Sequence, residues 1–302
     1  MLAALDSLHA LLRSLLPFDW AQPDFMLNAL LLIALLAPTC AALGVQVVNF
    51  RMAFFSDAIS HSAFTGVVLG YLLVPIANRL WPGFGRWDLL LPPLTLTLFG
   101  LCVGAGITAV RRRGDLSADT VIGVFFAAVI ALGIAVISRL NLRADFERYL
   151  YGTVVATAPA DVLVAVALAV VVALFLAATF NALLLTGLNE SLARSHGLPT
   201  RTLDYLFALL LALVVCTAIR TIGLLLVTAW LVVPAAAARN IARSAAGMFG
   251  WAVLLGLATG IAGLILAYQA DIAVGACIVL LAAAAFVLTF LWRILRARPA
   301  RR

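Results

Sequence analysis

Residues 51–73 read RMAFFSDAISHSAFTGVVLGYLL, a stretch that combines the composition of a membrane-spanning helix with two ionisable side chains. Its second half is almost entirely apolar, whereas Asp57 and His61 stand nearer its start, four residues apart. An ionisable group within a membrane span is costly and usually faces a cavity or a partner. The fold class therefore depends on whether the rest of the chain is equally apolar, and the function depends on what this pair does.

The composition of the whole chain is that of an integral membrane protein. Of the 302 residues, 65% are hydrophobic and 11% are charged, whereas soluble domains carry about 25% charged residues. Apolar runs of roughly 20 residues recur along the sequence, which favours helices, because the strands of a β-barrel would alternate in polarity. We therefore predict an all-α fold, a polytopic bundle of transmembrane helices.

Hydropathy predicts about nine spans, or eight if the chain does not break at Ile219-Arg220-Thr221. The transmembrane domain would run from 25 to 292, after an interfacial amphipathic segment (1–24) and before a basic tail (293–302). The nine predicted spans cover residues 25–49, 57–78, 88–110, 119–138, 160–187, 203–219, 221–238, 246–268 and 273–292.

The charged residues exclude one function and predict an orientation. All 20 basic residues are arginine, so a GxxxxGK[ST] phosphate loop is absent and the chain does not hydrolyse ATP by that route.

A cytoplasmic C-terminus places 13 of the 20 arginines on the cytoplasmic side, as the positive-inside rule requires. The polar stretch 141–152 falls outside in this topology. The net charge of +7 indicates contact with an anionic membrane leaflet rather than with nucleic acid.

Asp57 and His61 are the clearest candidate functional pair. Their spacing of four places both side chains on one face of a helix. A carboxylate and an imidazole on one face can share a divalent transition metal, or they can relay protons. The third interpretation is a hydrogen bond between Asp and His that holds two helices together.

Two further polar features interrupt the apolar runs. Asp271 precedes the last predicted span, which suggests a turn or a helix N-cap. In the loop 184–206, Asn189 or Ser191 can cap a short helix that Gly197 ends and Pro199 cannot continue. That helix is either a docking element for a partner or part of a solvated loop.

Three pairs of glycines are spaced four residues apart within predicted spans. Such spacing lets helix backbones approach closely in lipid, either within one chain or across a dimer seam. The pairs are Gly66 with Gly70, Gly100 with Gly104, and Gly256 with Gly260.

Five motifs follow one another along the chain. They are FRMAFFSDAISHSAFTGVVLG (50–70), DTVIGVFFAAVIALGIAVIS (119–138), NESLARSHGLPT (189–200), TIGLLLVTAWLVVPAAAARNI (221–241) and LAYQADIAVGACIVL (266–280). Together they resemble the permease subunit of the ABC-type zinc, manganese and iron importers, the ABC-3 family. The resemblance covers about residues 25–292 and departs from the family pattern near the polar residues, for example at Ser56 and Ala273.

The resemblance implies a fold like the permeases of the vitamin B12 and siderophore importers. It implies a bacterial inner-membrane homodimer that works with cytoplasmic ABC ATPase subunits and an extracytoplasmic metal-binding protein. The metal is the transported substrate, no cofactor is bound permanently, and ATP hydrolysis belongs to a separate chain. The matching metal-path positions are Asp57, His61 and Asp271. The segment 189–200 matches the cytoplasmic coupling helix, through Glu190, Ala193 and Gly197.

Two rival functions follow from the same residues. A secondary transporter driven by protons would use Asp57 and His61 as its relay and would need no ATPase partner. A membrane enzyme is disfavoured because the sequence contains neither HExxH nor GxSxG.

Overall fold

The structure is a computed structural model that describes residues 13–14, 23–81, 85–114, 116–140 and 159–297. The predicted amphipathic segment 1–24 lies almost entirely outside the described residues. The polar stretch 141–152 and residues 298–302 of the basic tail lie outside them as well.

Residues 13–14 are helical, and in the other described ranges the regular secondary structure consists of ten helices and no strand. They are α1 (Asp24–Asn49), α2 (Ala53–Leu80), α3 (Trp87–Arg113), α4 (Ala118–Leu140), α5 (Pro159–Leu188), α6 (Glu190–Ser195), α7 (Thr200–Ile222), α8 (Leu224–Ile241), α9 (Ala245–Ala270) and α10 (Val274–Ala297).

Nine of the described helices, all except α6, are long and apolar enough to cross a membrane. This confirms the predicted all-α polytopic bundle. The seventh and eighth helices are separate, but the break lies at Gly223, where φ is 81°, and not at the predicted Arg220. Arginine favours a helix interior, so α7 continues through Arg220, and the chain turns where glycine tolerates a positive φ.

The described residues fall into two compact units. The first draws on Met1–Val48, Tyr151–Ala178 and Thr221–Arg302, and the second on Asn49–Leu150 and Thr179–Arg220. The second unit therefore contains α2, α3, α4 and α6. The first contains α8, α9 and α10.

Small residues bring the helices of the first unit together. An ideal Cβ placed on Gly44 of α1 would stand 1.8 Å from the carbonyl oxygen of Leu231 in α8, so no side chain fits there. A core cluster of buried small residues continues this contact, and it consists of Ala41, Val45, Ala235, Ala238 and Ala252. Close backbone approach of this kind is how helices associate where lipid supplies no hydrophobic driving force.

The paired glycines also form contacts within the chain. A Cβ on Gly66 of α2 would lie 2.8 Å from Leu96 Cα in α3. A Cβ on Gly70 would lie 2.5 Å from Pro92 Cα in the same helix. In the first unit, a Cβ on Gly260 would meet Ile33 at 2.8 Å. These contacts support the intrachain interpretation of the glycine spacing.

Candidate functional site

Helix α2 carries Asp57 and His61 in its second and third turns. The helix begins at Ala53, directly after a tight turn in which Arg51 adopts φ 55°. Both side chains are half-buried, and the charge of Asp57 acts on His61. The predicted sharing of one helix face is therefore present in the structure.

Buried hydroxyl groups surround this pair on the same helix. The side chains of Ser56, Ser60, Ser62 and Thr65 are fully buried. Ser62 Oγ donates to Ile59 O at 2.7 Å, whereas Ser60 Oγ makes no hydrogen bond to any described residue. The beginning of α2 is thus more polar than the two ionisable residues alone indicate.

Helix α4 packs against the face of α2 that carries His61. Thr65 Oγ1 donates across the contact to Val129 O at 3.0 Å, and a Cβ on Gly133 would stand 2.6 Å from that Thr65 oxygen. The ring of Phe126 meets His61 edge-on, with centroids 4.9 Å apart. The imidazole therefore contacts an aromatic ring on a neighbouring helix.

The pair is an incomplete donor set for a metal. Among the described residues, no group of three or more His, Cys, Asp and Glu side chains could hold a metal ion. A structural zinc site has four protein ligands and is closed. One carboxylate and one imidazole are two of the four ligands that such a closed site would need.

Asp271 belongs to the first unit and has a different local role. It lies after α9 with φ 54°, and its N–H donates to Ala267 O, which makes it a left-handed C-cap. Of the two predicted roles, the turn is confirmed, whereas the N-cap role is wrong because α10 begins only at Val274. Asp is one of the few residues besides glycine and asparagine that tolerates this conformation. Its side chain is exposed.

The short helix α6 has well-formed ends. Asn189 Oδ1 accepts a hydrogen bond from Leu192 N at 3.0 Å, which confirms one of the two predicted N-caps. At the other end Gly197 has φ 75°, Leu198 N donates to Ala193 O and Gly197 N donates to Arg194 O. This pair of bonds is a Schellman motif, and Ala193 itself is completely buried.

Glu190, the first residue of α6, is paired with arginines on two sides. Its Oε1 lies 2.6 Å from Arg194 NH2 and 3.3 Å from Arg112 NH1. Partial burial raises the pKa of Glu190, but the hydrogen bond from Arg194 and the charges of Arg112 and Arg194 outweigh it, so its pKa lies below the ordinary value. Glu190 is therefore ionised at neutral pH.

A buried ion-pair cluster beside α6 was not predicted from the sequence. Asp204 Oδ2 accepts hydrogen bonds from Arg112 NH2 at 2.5 Å and from Arg111 NH2 at 2.8 Å. The side chains of Asp204 and Arg112 are 7% and 11% exposed, so the charges are mostly removed from solvent. The sequence does contain a pattern that could have indicated these ion pairs. Asp204 is an acidic residue near the start of one apolar run, and Arg111 and Arg112 stand at the end of another.

A polar cavity of about 230 Å³ adjoins this cluster. Its lining residues are Phe50, Arg111, Arg112, Thr186, Gly187, Glu190, Arg194 and Asp204. Arg112 Nε and Asp204 Oδ1 are buried and make no hydrogen bond to a described residue. A cavity of this size and polarity has room for water to satisfy both atoms.

Comparison with known sequences identifies relatives over almost the whole chain. The profile of the ABC 3 transport family matches residues 22–293. The manganese import system permease protein ScaB of Streptococcus parasanguinis is 32% identical, over 89% of this chain and 91% of that protein. The high-affinity zinc uptake system membrane protein ZnuB of Haemophilus influenzae is 30% identical, over 89% of this chain and 98% of that protein.

A solved structure has the same fold. PsaBC from Streptococcus pneumoniae, in complex with Fab, matches with a TM-score of 0.73 and 28% identity. The match covers 96% of this chain and 95% of the solved one. The likeness therefore extends over nearly every helix described above.

Proposed function

The chain belongs to the ABC 3 transport family, and from that premise we propose that it forms the metal path of an ATP-driven importer. The transported substrate is a divalent transition-metal ion, namely zinc, manganese or iron. Two copies of the chain build the path, and separate cytoplasmic ABC ATPase subunits supply the energy. An extracytoplasmic metal-binding protein delivers the ion.

The observation that carries this proposal is the Asp57–His61 pair on one face of a membrane helix, in the same unit as the capped helix α6. The carboxylate and imidazole bind a divalent metal as it passes. Because the described residues of one chain bring no third ligand to this pair, the second copy supplies the remaining protein ligands.

Asp271 contributes less directly to metal binding than Asp57 and His61 do. Its carboxylate is exposed at the turn between α9 and α10. In the proposed topology this turn faces the outside, where a single carboxylate offers a weak first ligand for an arriving cation. We therefore assign Asp271 to metal entry and the pair to metal passage.

The short helix α6 is the element that meets the ATPase. Its caps fix it as a rigid unit between two spans, with Ala193 buried and Glu190 partly exposed. Gly197 ends it in a conformation that other residues adopt only at a cost. Motion of the ATPase subunits during ATP binding and hydrolysis then moves α6, and through it the helices that it contacts.

The orientation follows from the same assignment. With α6 on the cytoplasmic side of the bacterial inner membrane, Arg111, Arg112 and the C-terminus lie on that side too. This arrangement agrees with the excess of arginine expected for cytoplasmic loops.

The separate binding protein provides most of the selection among metals. A site of one carboxylate and one imidazole accepts several divalent ions, and zinc binds more tightly than manganese to most sets of ligands. Selection for manganese must therefore occur before the ion reaches the membrane.

Uptake into proteoliposomes tests the proposal. The chain is co-purified with its ATPase and binding-protein partners, and Zn²⁺, Mn²⁺ and Fe²⁺ are offered with ATP, without ATP, and with an imposed proton gradient. We expect accumulation of at least one metal that requires ATP. Accumulation that follows the proton gradient and ignores ATP would contradict the proposal and identify a secondary transporter.

A further inference from the structure

The ion pairs beside α6 connect this helix to the base of α2, the helix that carries Asp57 and His61. The connection begins at Arg112, at the end of α3. Its NH1 lies 3.3 Å from Glu190 Oε1 in α6. Its NH2 lies 2.5 Å from Asp204 Oδ2 in α7 and 2.8 Å from Thr200 O. One guanidinium therefore contacts both α6 and the first turns of α7.

The second step leads from Asp204 to α2. Asp204 Oδ2 also accepts a hydrogen bond from Arg111 NH2 at 2.8 Å. Arg111 NH1 in turn donates to the thioether sulfur of Met52 at 2.8 Å. Met52 is the residue that precedes α2, and it is 2% exposed. Only four residues separate Met52 from Asp57.

Two further contacts hold the same turn from the side of α5 and α7. Asn49 Nδ2 donates to Leu184 O in α5 at 3.4 Å. The ring of Phe50 stacks on Phe207 in α7, with centroids 5.4 Å apart. Between these residues and α2, Arg51 adopts a left-handed φ of 55°. Such a conformation persists only where surrounding contacts determine it, so a shift of those contacts changes the direction in which α2 begins.

The burial of the ion pairs makes the connection stiff. Arg112 and Asp204 are almost fully covered, whereas Glu190 remains 44% exposed. Separating Arg112 from Asp204 would leave an uncompensated charge in a poorly solvated site, which is strongly unfavourable. The polar cavity of about 230 Å³ beside them gives α6 space to shift while its charges stay solvated. We therefore expect the cluster to move as one body.

We propose that Arg112 is a positioning residue that transmits displacement of α6 to the base of α2. The path runs from Glu190 through Arg112 and Asp204 to Arg111 and Met52. Movement of α6 thereby turns the start of α2 and changes the setting of Asp57 and His61. This inference rests on the proposed importer function, because it requires α6 to be moved by the ATPase.

The test measures metal delivered per ATP hydrolysed, in proteoliposomes that contain the complete complex. Three variants break the path: Arg112→Gln at its centre, Glu190→Gln where it meets α6, and Asp204→Asn at a side chain too buried to touch another subunit. Arg113→Gln is the matched control, since Arg113 is the adjacent arginine and is exposed. Arg112→Lys keeps the charge but cannot contact both carboxylates as a guanidinium does.

We expect the metal-to-ATP ratio to fall by about 2- to 30-fold in the three variants, with complex assembly and ATP hydrolysis retained. Arg113→Gln should keep the wild-type ratio, and Arg112→Lys should lie between. A merely structural residue would instead lower assembly, uptake and hydrolysis together.

If Arg112→Gln or Asp204→Asn fails to assemble, the metal-to-ATP ratio of Glu190→Gln tests the inference, because this variant leaves the buried Arg112–Asp204 pair intact. A wild-type ratio in Glu190→Gln, or in an assembled Asp204→Asn complex, would overturn the inference and leave the importer function standing. The absence of ATP-driven uptake by the wild-type complex would remove both.

Discussion

Two regions of the second unit use charged side chains in opposite ways. The cluster beside α6 sets two carboxylates, Glu190 and Asp204, against three arginines at 2.5–3.3 Å. The α2 region offers only Asp57 and His61. Among the described residues, no third His, Cys, Asp or Glu side chain joins them to form a group that could hold a metal ion. The first region is suited to keeping its parts together, whereas in the proposed importer the second binds an ion and releases it.

The comparison predicts the largest effect for the pair on α2. His61→Ala or Asp57→Ala should lower metal uptake by at least about 10- to 100-fold, because the substitution removes half of the Asp57 and His61 ligands that the two copies supply together. The complex should still assemble, since neither residue is in the buried ion-pair cluster. Uptake of radiolabelled metal by proteoliposomes measures the effect.

Asp119→Asn provides the control for charge removal, because Asp119 is an exposed carboxylate at the start of α4. It should transport like the wild type. Normal uptake in both the Asp57 and the His61 variant would exclude this pair as the metal path.

Gly197 tests the other region of the comparison. Gly197→Leu forces a side chain into φ 75°, at a cost of about 1–2 kcal/mol. Apart from the adjacent residues, no atom lies within 4 Å of a Cβ placed at this position, so the cost at the Cβ is that of the backbone conformation. We expect hydrolysis of ATP to continue while metal transport per ATP decreases, as α6 loses its fixed end.

The matched substitution is Gly250→Ala, at a helical glycine in α9 that also has open space around its Cβ. Coupling should be unchanged there. If both variants keep the wild-type ratio of metal to ATP, the assignment of α6 as the coupling helix is wrong.

The sequence predicts the helices of this fold well because length and apolarity determine a membrane span. It also predicts the ends of α6, since Asn189 and Gly197 act through contacts within a few residues. The cluster beside α6 could not be found in that way. Arg112 and Asp204 are 92 residues apart in sequence, and only the packing of α3 against α7 brings them together.

Local chemistry also explains the two boundary errors. An arginine in an apolar run resembles a loop, yet α7 continues through Arg220 and the chain turns at Gly223. An aspartate before an apolar run resembles an N-cap, yet Asp271 ends the preceding helix in a left-handed conformation. Both positions depend on backbone angles that hydropathy does not report.

Substitution of Asp271 should have a smaller effect on metal uptake than substitution of Asp57 or His61. Asp271→Asn keeps a residue that tolerates the left-handed turn and removes only the charge, whereas Asp271→Gly also removes the side chain. We expect both variants to fold and to reduce uptake only a few-fold, at low metal concentration. Dependence of uptake rate on metal concentration measures this, and a loss as complete as that in His61→Ala would place Asp271 in the metal path itself.

The smallest expected effect concerns pH. The pKa of Glu190 is lowered in the folded protein, so its ion pairs stabilise the protein fully above the ordinary glutamate pKa of about 4.3. That contribution is lost as pH falls through the lower folded value. Because Glu190 is 44% exposed, solvent screening keeps the effect small.

Thermal unfolding in detergent at pH 7 and near pH 3 measures this effect. The wild type should lose slightly more stability on acidification than Glu190→Gln, which has no carboxyl group to protonate. Equal losses in the two proteins would show that the pairs of Glu190 contribute nothing measurable to stability.

The central claim is that a divalent metal passes between Asp57 and His61. Crystals of the complete complex grown with Zn²⁺ or Mn²⁺, with diffraction data collected at the metal absorption edge, test it most directly. With Zn²⁺, we expect an anomalous peak within about 2.0–2.2 Å of a His61 imidazole nitrogen and an Asp57 carboxylate oxygen, and with Mn²⁺ we expect a peak at the same pair. A peak elsewhere along the chain, with none at this pair, would contradict it.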